Sequence, residues 1–377
     1  MHAQFATIPY ASHEVRLSGR QWIVAGTLIV LALVLTPRVW ERIEPFMPSA
    51  YYRIPYALSS DYWLFGRYCR EAVSKGKTLV VGDSVIWGQY VASDQTLPHH
   101  LNQLVGDDRF ANLGVDGMHP AALAGLLRYY GRPIARQNVV LHCNLLWMSS
   151  TKHDLQIDKE FQFNHPTLVP QFVPRIPCYT EPYSNRVSIA IERHVPFFAW
   201  ADHLRLAYFD RKDIPAWTLD HPYESPAGAV TLKLPAPEAG PQHEPIPWTD
   251  RQLTRQDFPW VKLGGSFQWR SFRQAVDTLT ARGNRVFVVV GPFNEHMLTA
   301  PSLERYSGRK AEVAAWLKEQ GIPHYVPQAL PSQQYADASH PLGDGYAALA
   351  KQLLENDAFA RFCGNHQAGR AVAGGTR

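Results

Sequence analysis

Short apolar runs alternate along this chain with amphipathic stretches, and that rhythm limits its fold more than any other feature. Residues 78–81, 110–113, 139–143 and 285–290 read as short apolar strands, and a further short strand is expected near 324–326. Between them, residues 61–74, 96–105, 121–130, 267–282, 302–320 and 343–354 carry apolar side chains at helical spacing. Strands that are apolar on both faces need cover on both faces, and helices between them supply it. The predicted class is therefore α/β, a doubly wound parallel sheet.

Residues 150–265 break the rhythm. Residues 184–210 suit a helix, but nine prolines, from Pro215 to Pro259, crowd the stretch 213–260. This reads as a large irregular insertion, either a lid or partner surface or simply a tolerated loop. With 46% hydrophobic and 19% charged residues the chain is globular rather than disordered. A net charge of +4 without any Lys/Arg run gives no nucleic-acid arm, so nucleic acid is not an expected partner. Cys69, Cys143, Cys178 and Cys363 lie far apart, which excludes a zinc ribbon or disulfide scaffold and leaves one disulfide open. His142, His153 and His165 lack metal-ligand spacing and are expected at the surface or in packing, so no metal is expected. Trp147, Trp200, Trp260 and Trp269 suit a glycan groove, but each suits a core better.

Near the N-terminus, residues 22–35 read WIVAGTLIVLALVL, with Arg16 and Arg20 before them and Pro37, Arg38 and Trp40 after. The run is short for a spanning helix and long for a signal-peptide core, and no small-x-small cleavage site follows. An uncleaved signal-anchor over 21–40 is the favoured reading, with a cleaved signal or a buried helix as alternatives. Trp22 and Trp40 would mark the two interfaces, and Arg16 and Arg20 place a tail of residues 1–20 in the cytoplasm. Residues 41–60 read as a linker, and the body, 61–377, would be extracytoplasmic. The absence of an N-x-[ST] sequon favours a bacterial periplasm over a eukaryotic lumen.

The first strand ends in Gly82-Asp83-Ser84. A serine at the tip of a parallel strand, where a helix begins, offers its hydroxyl to the crevice at the carboxyl edge of the sheet. Its N–H lies where negative charge is stabilised. A serine nucleophile needs a base held by a carboxylate. Asp337-Ala338-Ser339-His340-Pro341, after the last strand, supplies both. Asp116-Gly117-Met118-His119-Pro120 has the same spacing and is a rival pair. Gly117 follows the second strand, where a backbone N–H can approach an oxyanion closely, and the Asn144 amide ends the third strand.

This order resembles the SGNH/GDSL hydrolase superfamily: GDS after the first strand, N-x-G-x-x-G after the second, Asn after the third and D-x-x-H-P after the last. It covers residues 78–144 and 284–355. The resemblance implies an SGNH-type three-layer sandwich. It implies Ser84 as nucleophile with Asp337 and His340 as the remaining triad members. Ser84, Gly117 and Asn144 would form the oxyanion hole, and no cofactor would be needed. Chain order assigns the base to His340 and leaves 116–119 in the glycine block, with His119 lining the mouth. The third block here is His142-Cys143-Asn144-Leu145, without the family's usual Gly and Asp.

The anchor and the insertion look more like the membrane-anchored branch that acylates cell envelopes, such as alginate O-acetylation and teichoic-acid D-alanylation proteins. Residues 288–297, VVVGPFNEHM, resemble a strand-and-loop region of the latter. The function implied is an extracytoplasmic O-acyltransferase or esterase acting on acyl esters, acetyl among them, of an envelope polysaccharide. A membrane acyl transporter is the implied partner, and the inner membrane facing the periplasm is the implied location. A non-catalytic glycan-binding or scaffold member of an envelope complex is the alternative.

Overall fold

Five parallel strands form one sheet: β1 (Thr78–Gly82), β2 (Phe110–Gly114), β3 (Asn138–Cys143), β4 (Arg285–Val290) and β5 (His324–Tyr325). Their order is β2-β1-β3-β4-β5. The structure is a computed structural model that describes residues 17–238 and 240–364. Helices α1 (Gly19–Ile43) and α2 (Tyr62–Ser74) precede the sheet. Helices α3 (Ser84–Trp87) and α4 (Leu97–Val105) follow β1, and α5 (Pro120–Tyr129) follows β2. Between β3 and β4 lie α6 (Tyr183–Glu192), α7 (Pro196–Tyr208), α8 (Ile214–Asp220), α9 (Pro226–Ala229) and α10 (Phe267–Ala281). Helix α11 (Ala300–Glu319) follows β4; α12 (Gly343–Glu355) and α13 (Asp357–Gly364) follow β5.

Alternate residues of the strands feed two cores, because side chains leave a pleated strand on opposite sides. Leu79, Val81, Leu113, Leu141 and Val288 join α2, α5, α10 and α11 on one face. Val80, Phe110, Val140, Phe287 and Val289 join α3, α4, α12 and α13 on the other. The molecule is thus α/β with an all-parallel sheet, as the alternation predicts. The helices expected between and after the strands appear as α2, α4, α5, α10, α11 and α12, each within two residues of the expected bounds.

The insertion departs from expectation. The one helix expected over 184–210 is two, α6 and α7, because Pro196 starts a new helix at a position where its missing N–H costs nothing. Pro215 and Pro226 likewise sit at the starts of α8 and α9. Two of the nine prolines that read as breakers therefore act as helix starts. All four cysteines are free and buried, so the open disulfide does not form.

Helix α1 is long and apolar enough to cross a membrane. Its 25 residues rise about 37 Å at 1.5 Å each. Ser18 and Gln21 form a capping box at its start. Arg16 and the rest of residues 1–16 lie outside the described residues, as do 365–377. The helix runs past Pro37 to Ile43, into the stretch expected as a linker. The remainder of that stretch is docked: Tyr52, Ile54 and Leu58 are core residues, and Arg53 stacks 3.8 Å above the Trp87 ring centre.

Glu44, just beyond α1, is fully buried. Its carboxylate pairs with Arg67 and accepts from Tyr208 Oη at 2.6 Å and Trp40 Nε1 at 3.0 Å. His203 of α7 lies between two carboxylates, with Nε2 2.9 Å from Glu44 Oε1 and Nδ1 2.6 Å from Asp61 Oδ2. Burial works against a cation there, but the charges and hydrogen bonds of Asp61 and Glu44 outweigh it and raise His203 to about 9. Asp61 also caps α2 through Leu64 N. One buried network therefore ties the end of α1 to α2 and to the insertion.

Candidate active site

Strand β1 delivers the chain to the carboxyl edge of the sheet, where the order β2-β1-β3 makes a topological switch point. Gly82 and Gly114 are paired neighbours at that edge. A Cβ on Gly82 would lie 2.5 Å from Ile86 Cγ1 and 2.7 Å from His142 Cβ. A Cβ on Gly114 would lie 2.3 Å from Trp87 N. Two glycines let the single turn of α3 sit directly on the strand ends. Asp83 caps that turn through Val85 N at 3.1 Å, and Ser84 is its first residue.

Ser84 Oγ lies 2.9 Å from His340 Nε2. His340 Nδ1 lies 2.8 and 2.9 Å from the two Asp337 oxygens. Since Asp337 accepts the Nδ1 proton, Nε2 is left to accept from the serine hydroxyl. Asp337 Oδ1 also accepts from Ser339 N at 2.9 Å and His340 N at 3.0 Å, so the loop is wound around its own carboxylate. Burial would raise the Asp337 carboxyl, but the His340 charge and these hydrogen bonds bring it down to about 2. Burial opposes the imidazolium of His340, yet Asp337, with Asp83 and Asp116 behind it, raises its pKa above 6.5. The arrangement holds a serine hydroxyl, a base and an orienting carboxylate in line.

The three donors named from the sequence keep unspent hydrogens. The N–H groups of Ser84 and Gly117 have no acceptor among the described residues. Asn144 Nδ2 gives one hydrogen to Asp83 Oδ2 at 2.7 Å, which leaves its second. Its Oδ1 is turned away by Leu146 N at 3.0 Å, so the amide cannot flip without losing both bonds. Gly117 has φ +66, and a Cβ there would meet Asn164 Nδ2 at 2.2 Å, so the position needs glycine twice over.

Asp83 does more than cap. It is buried and accepts from His142 Nδ1 at 3.1 Å, Asn144 Nδ2 and Trp147 Nε1 at 2.9 Å. Burial would raise it, but His142 and these donors hold it at about 2. His142 is therefore a buried partner of the site and not a surface residue. His153 Nδ1 meets Ser149 Oγ at 2.7 Å, and His165 links Tyr62 Oη, at 2.9 Å, to the Asp116 carbonyl, at 2.7 Å. His153 and His165 are packing residues, and no metal-binding cluster occurs among the described residues. Trp260 and Trp269 are buried in the core, while Trp200 packs on Trp40 at 5.8 Å between ring centres.

The rival pair separates. His119 does not line the mouth: it is buried at the start of α5, with Nε2 3.1 Å from Asn164 O and Nδ1 3.2 Å from Gln268 Nε2. Burial, then the neighbouring His165, lowers it to about 4, which leaves it neutral. Asp116 stays near the site, with a buried Oδ1 that has no partner among the described residues.

Several residues at the site were not legible as such. Asn294, fully buried, donates Nδ2 to the Asp337 carbonyl at 3.1 Å and its N–H to Ala338 O at 2.9 Å, fixing the triad loop. Tyr90 packs on His340 at 5.3 Å and on His243 at 5.5 Å between ring centres. Arg251 lies 4.9 Å over the same Tyr90 ring, and Trp248 N reaches Tyr335 O at 2.9 Å. The Pro-rich part of the insertion thus folds back onto Tyr90, which packs on His340, and onto Tyr335 just before Asp337. Asn294 had one sequence cue, the 288–297 run; His243 and Arg251 had none, because their segment has no period.

Comparison of the sequence with protein-family models and with curated proteins finds no match.

Proposed function

We propose that this chain is a membrane-anchored, extracytoplasmic serine acyl-transfer enzyme of the SGNH/GDSL type, with the three-layer sandwich that the resemblance implies. The observation that carries the reading is the continuous line from Asp337 through His340 to Ser84; the unspent N–H donors of Ser84, Gly117 and Asn144 support it. Its substrates are acyl esters, acetyl among them, of an envelope polysaccharide.

In the first half-reaction His340 Nε2 takes the Ser84 proton as Oγ attacks the acyl carbonyl carbon. The carbonyl oxygen becomes an oxyanion facing the N–H groups of Ser84 and Gly117 and the free hydrogen of Asn144. Collapse breaks the ester bond, and the leaving alkoxide takes the proton back from His340. In the second half-reaction a sugar hydroxyl or water gives its proton to His340 and attacks the acyl-serine, and Ser84 recovers its proton as it leaves. Asp337 stabilises the imidazolium in both halves without taking the proton.

Transfer to sugar is favoured over hydrolysis by the cover that Tyr90, backed by His243 and Arg251, gives His340, since such cover keeps water from an acyl-enzyme. The test gives the purified protein a chromogenic acetyl ester with and without envelope oligosaccharides. Acetylated sugar formed at the expense of free acetate is the expected result. Free acetate released at an undiminished rate with every acceptor contradicts transfer and leaves an esterase. No turnover by a folded protein contradicts both.

A further inference from the structure

Beside the point where α1 leaves its apolar stretch, a cavity of about 450 Å³ opens between that helix, α2, the turn after α5 and the junction of α6 and α7. Its wall begins at Val34, within the apolar run, and passes Pro37 and Trp63. Four arginines face it, Arg38, Arg70, Arg132 and Arg193, against two glutamates.

The four are not equivalent. Arg70 is taken up in an ion pair with Glu41. Arg193 is stacked 4.8 Å over Tyr129 and bonded to the carbonyls of Ile189 and Val169. Arg38 and Arg132 are exposed and make no ion pair among the described residues. The charge of Arg132 is felt next door: burial and then Arg132 lower the pKa of Arg282. The cavity therefore carries surplus positive charge beside Val34 of the apolar run.

In a bilayer the first strongly charged groups above the hydrocarbon are phosphates. Arginine is the side chain best shaped to hold them, since its planar fork meets two phosphate oxygens at once. We propose that this cavity binds the phosphate headgroup of an anionic lipid, with Arg38 and Arg132 as its grip and the acyl chains lying along the Val34 side of α1. The inference rests on α1 spanning the membrane and does not depend on the acyl-transfer chemistry.

The experiment uses the full chain purified in a neutral detergent and offered dioleoyl phosphatidylglycerol or dioleoyl phosphatidylcholine, with retained lipid counted by native mass spectrometry. The expected result is selective retention of phosphatidylglycerol, weakened about fivefold by either Arg38→Gln or Arg132→Gln and more by both. Millimolar inorganic phosphate should not displace it. Equal retention of the two lipids overturns the proposal, and so does a folded double variant that holds phosphatidylglycerol like the unaltered chain. Displacement by inorganic phosphate overturns the lipid as its source. The two-lipid comparison stands even where a variant melts early. Alkaline carbonate washing of membranes separates the premise from the site. A chain released by carbonate removes the spanning helix and the proposal together. A chain that stays but shows no lipid preference removes the proposal alone.

Discussion

His340 is held between one carboxylate and one hydroxyl, and on the proposed function its protonation sets when Ser84 can react. The neutral imidazole would then be the base, and Asp337 favours the charged form. On the proposed reading kcat/KM rises with pH through a midpoint above 6.5 and levels off once His340 is neutral. Asp337→Asn removes the strongest influence that raises His340, so the midpoint moves down, while the plateau falls by about 10⁴. An unmoved midpoint would show that another group governs the profile. His340→Ala is expected to lower turnover by several orders of magnitude. His119→Ala deletes no base but opens a buried network, so its expected loss is in thermal stability with turnover per folded molecule largely kept. Equal loss of turnover in the two folded variants would reverse the assignment.

The one-turn helix α3 stands on two glycines, and that contact fixes where Ser84 points. Gly82→Ala puts a methyl 2.5 Å from Ile86 Cγ1. Overpacking of this kind costs about 1–3 kcal/mol. Denaturant unfolding should show that loss, and turnover should fall further than stability does, because α3 must shift to make room. Unchanged turnover would mean the turn tolerates displacement. A second element-level contact, His203 between Asp61 and Glu44, joins α7 to α1 and α2. Its folded pKa of about 9 lies above the usual 6.5, so its stabilisation is full below pH 6.5 and is lost as pH rises toward 9. The stability gap between the unaltered chain and His203→Gln should narrow by up to ~3 kcal/mol between pH 6 and pH 10. A gap that does not change with pH would show a neutral histidine.

Periodicity and turn chemistry made much of the molecule readable. Strands β1 to β4 are apolar runs because both faces are buried, and Ser84, Asp337 and His340 sit in short local patterns. What stayed hidden depends on contacts across long stretches of chain. Asn294 meets Asp337 only after α11 intervenes, and Tyr90, His243 and Arg251 meet only because an aperiodic insertion folds back. His119 read as a mouth residue because D-x-x-H spacing says nothing of burial. The whole-molecule claim that the body lies outside the cytoplasm has its own check. All four native cysteines are buried, and Tyr223, in the insertion, is 99% exposed. A Tyr223→Cys variant in intact spheroplasts should react with a membrane-impermeant maleimide. Reaction only after lysis would place the body inside and remove the envelope reading.

The central claim is that Ser84 is a nucleophile driven by His340. A fluorophosphonate probe phosphonylates an activated serine with loss of fluoride and spares an inert one, so the measurement is covalent labelling of the full chain, mapped by peptide mass spectrometry. The expected result is a single adduct on Ser84, absent in Ser84→Ala and nearly absent in His340→Ala. A folded protein that stays unlabelled, or that carries its adduct elsewhere, would contradict the account.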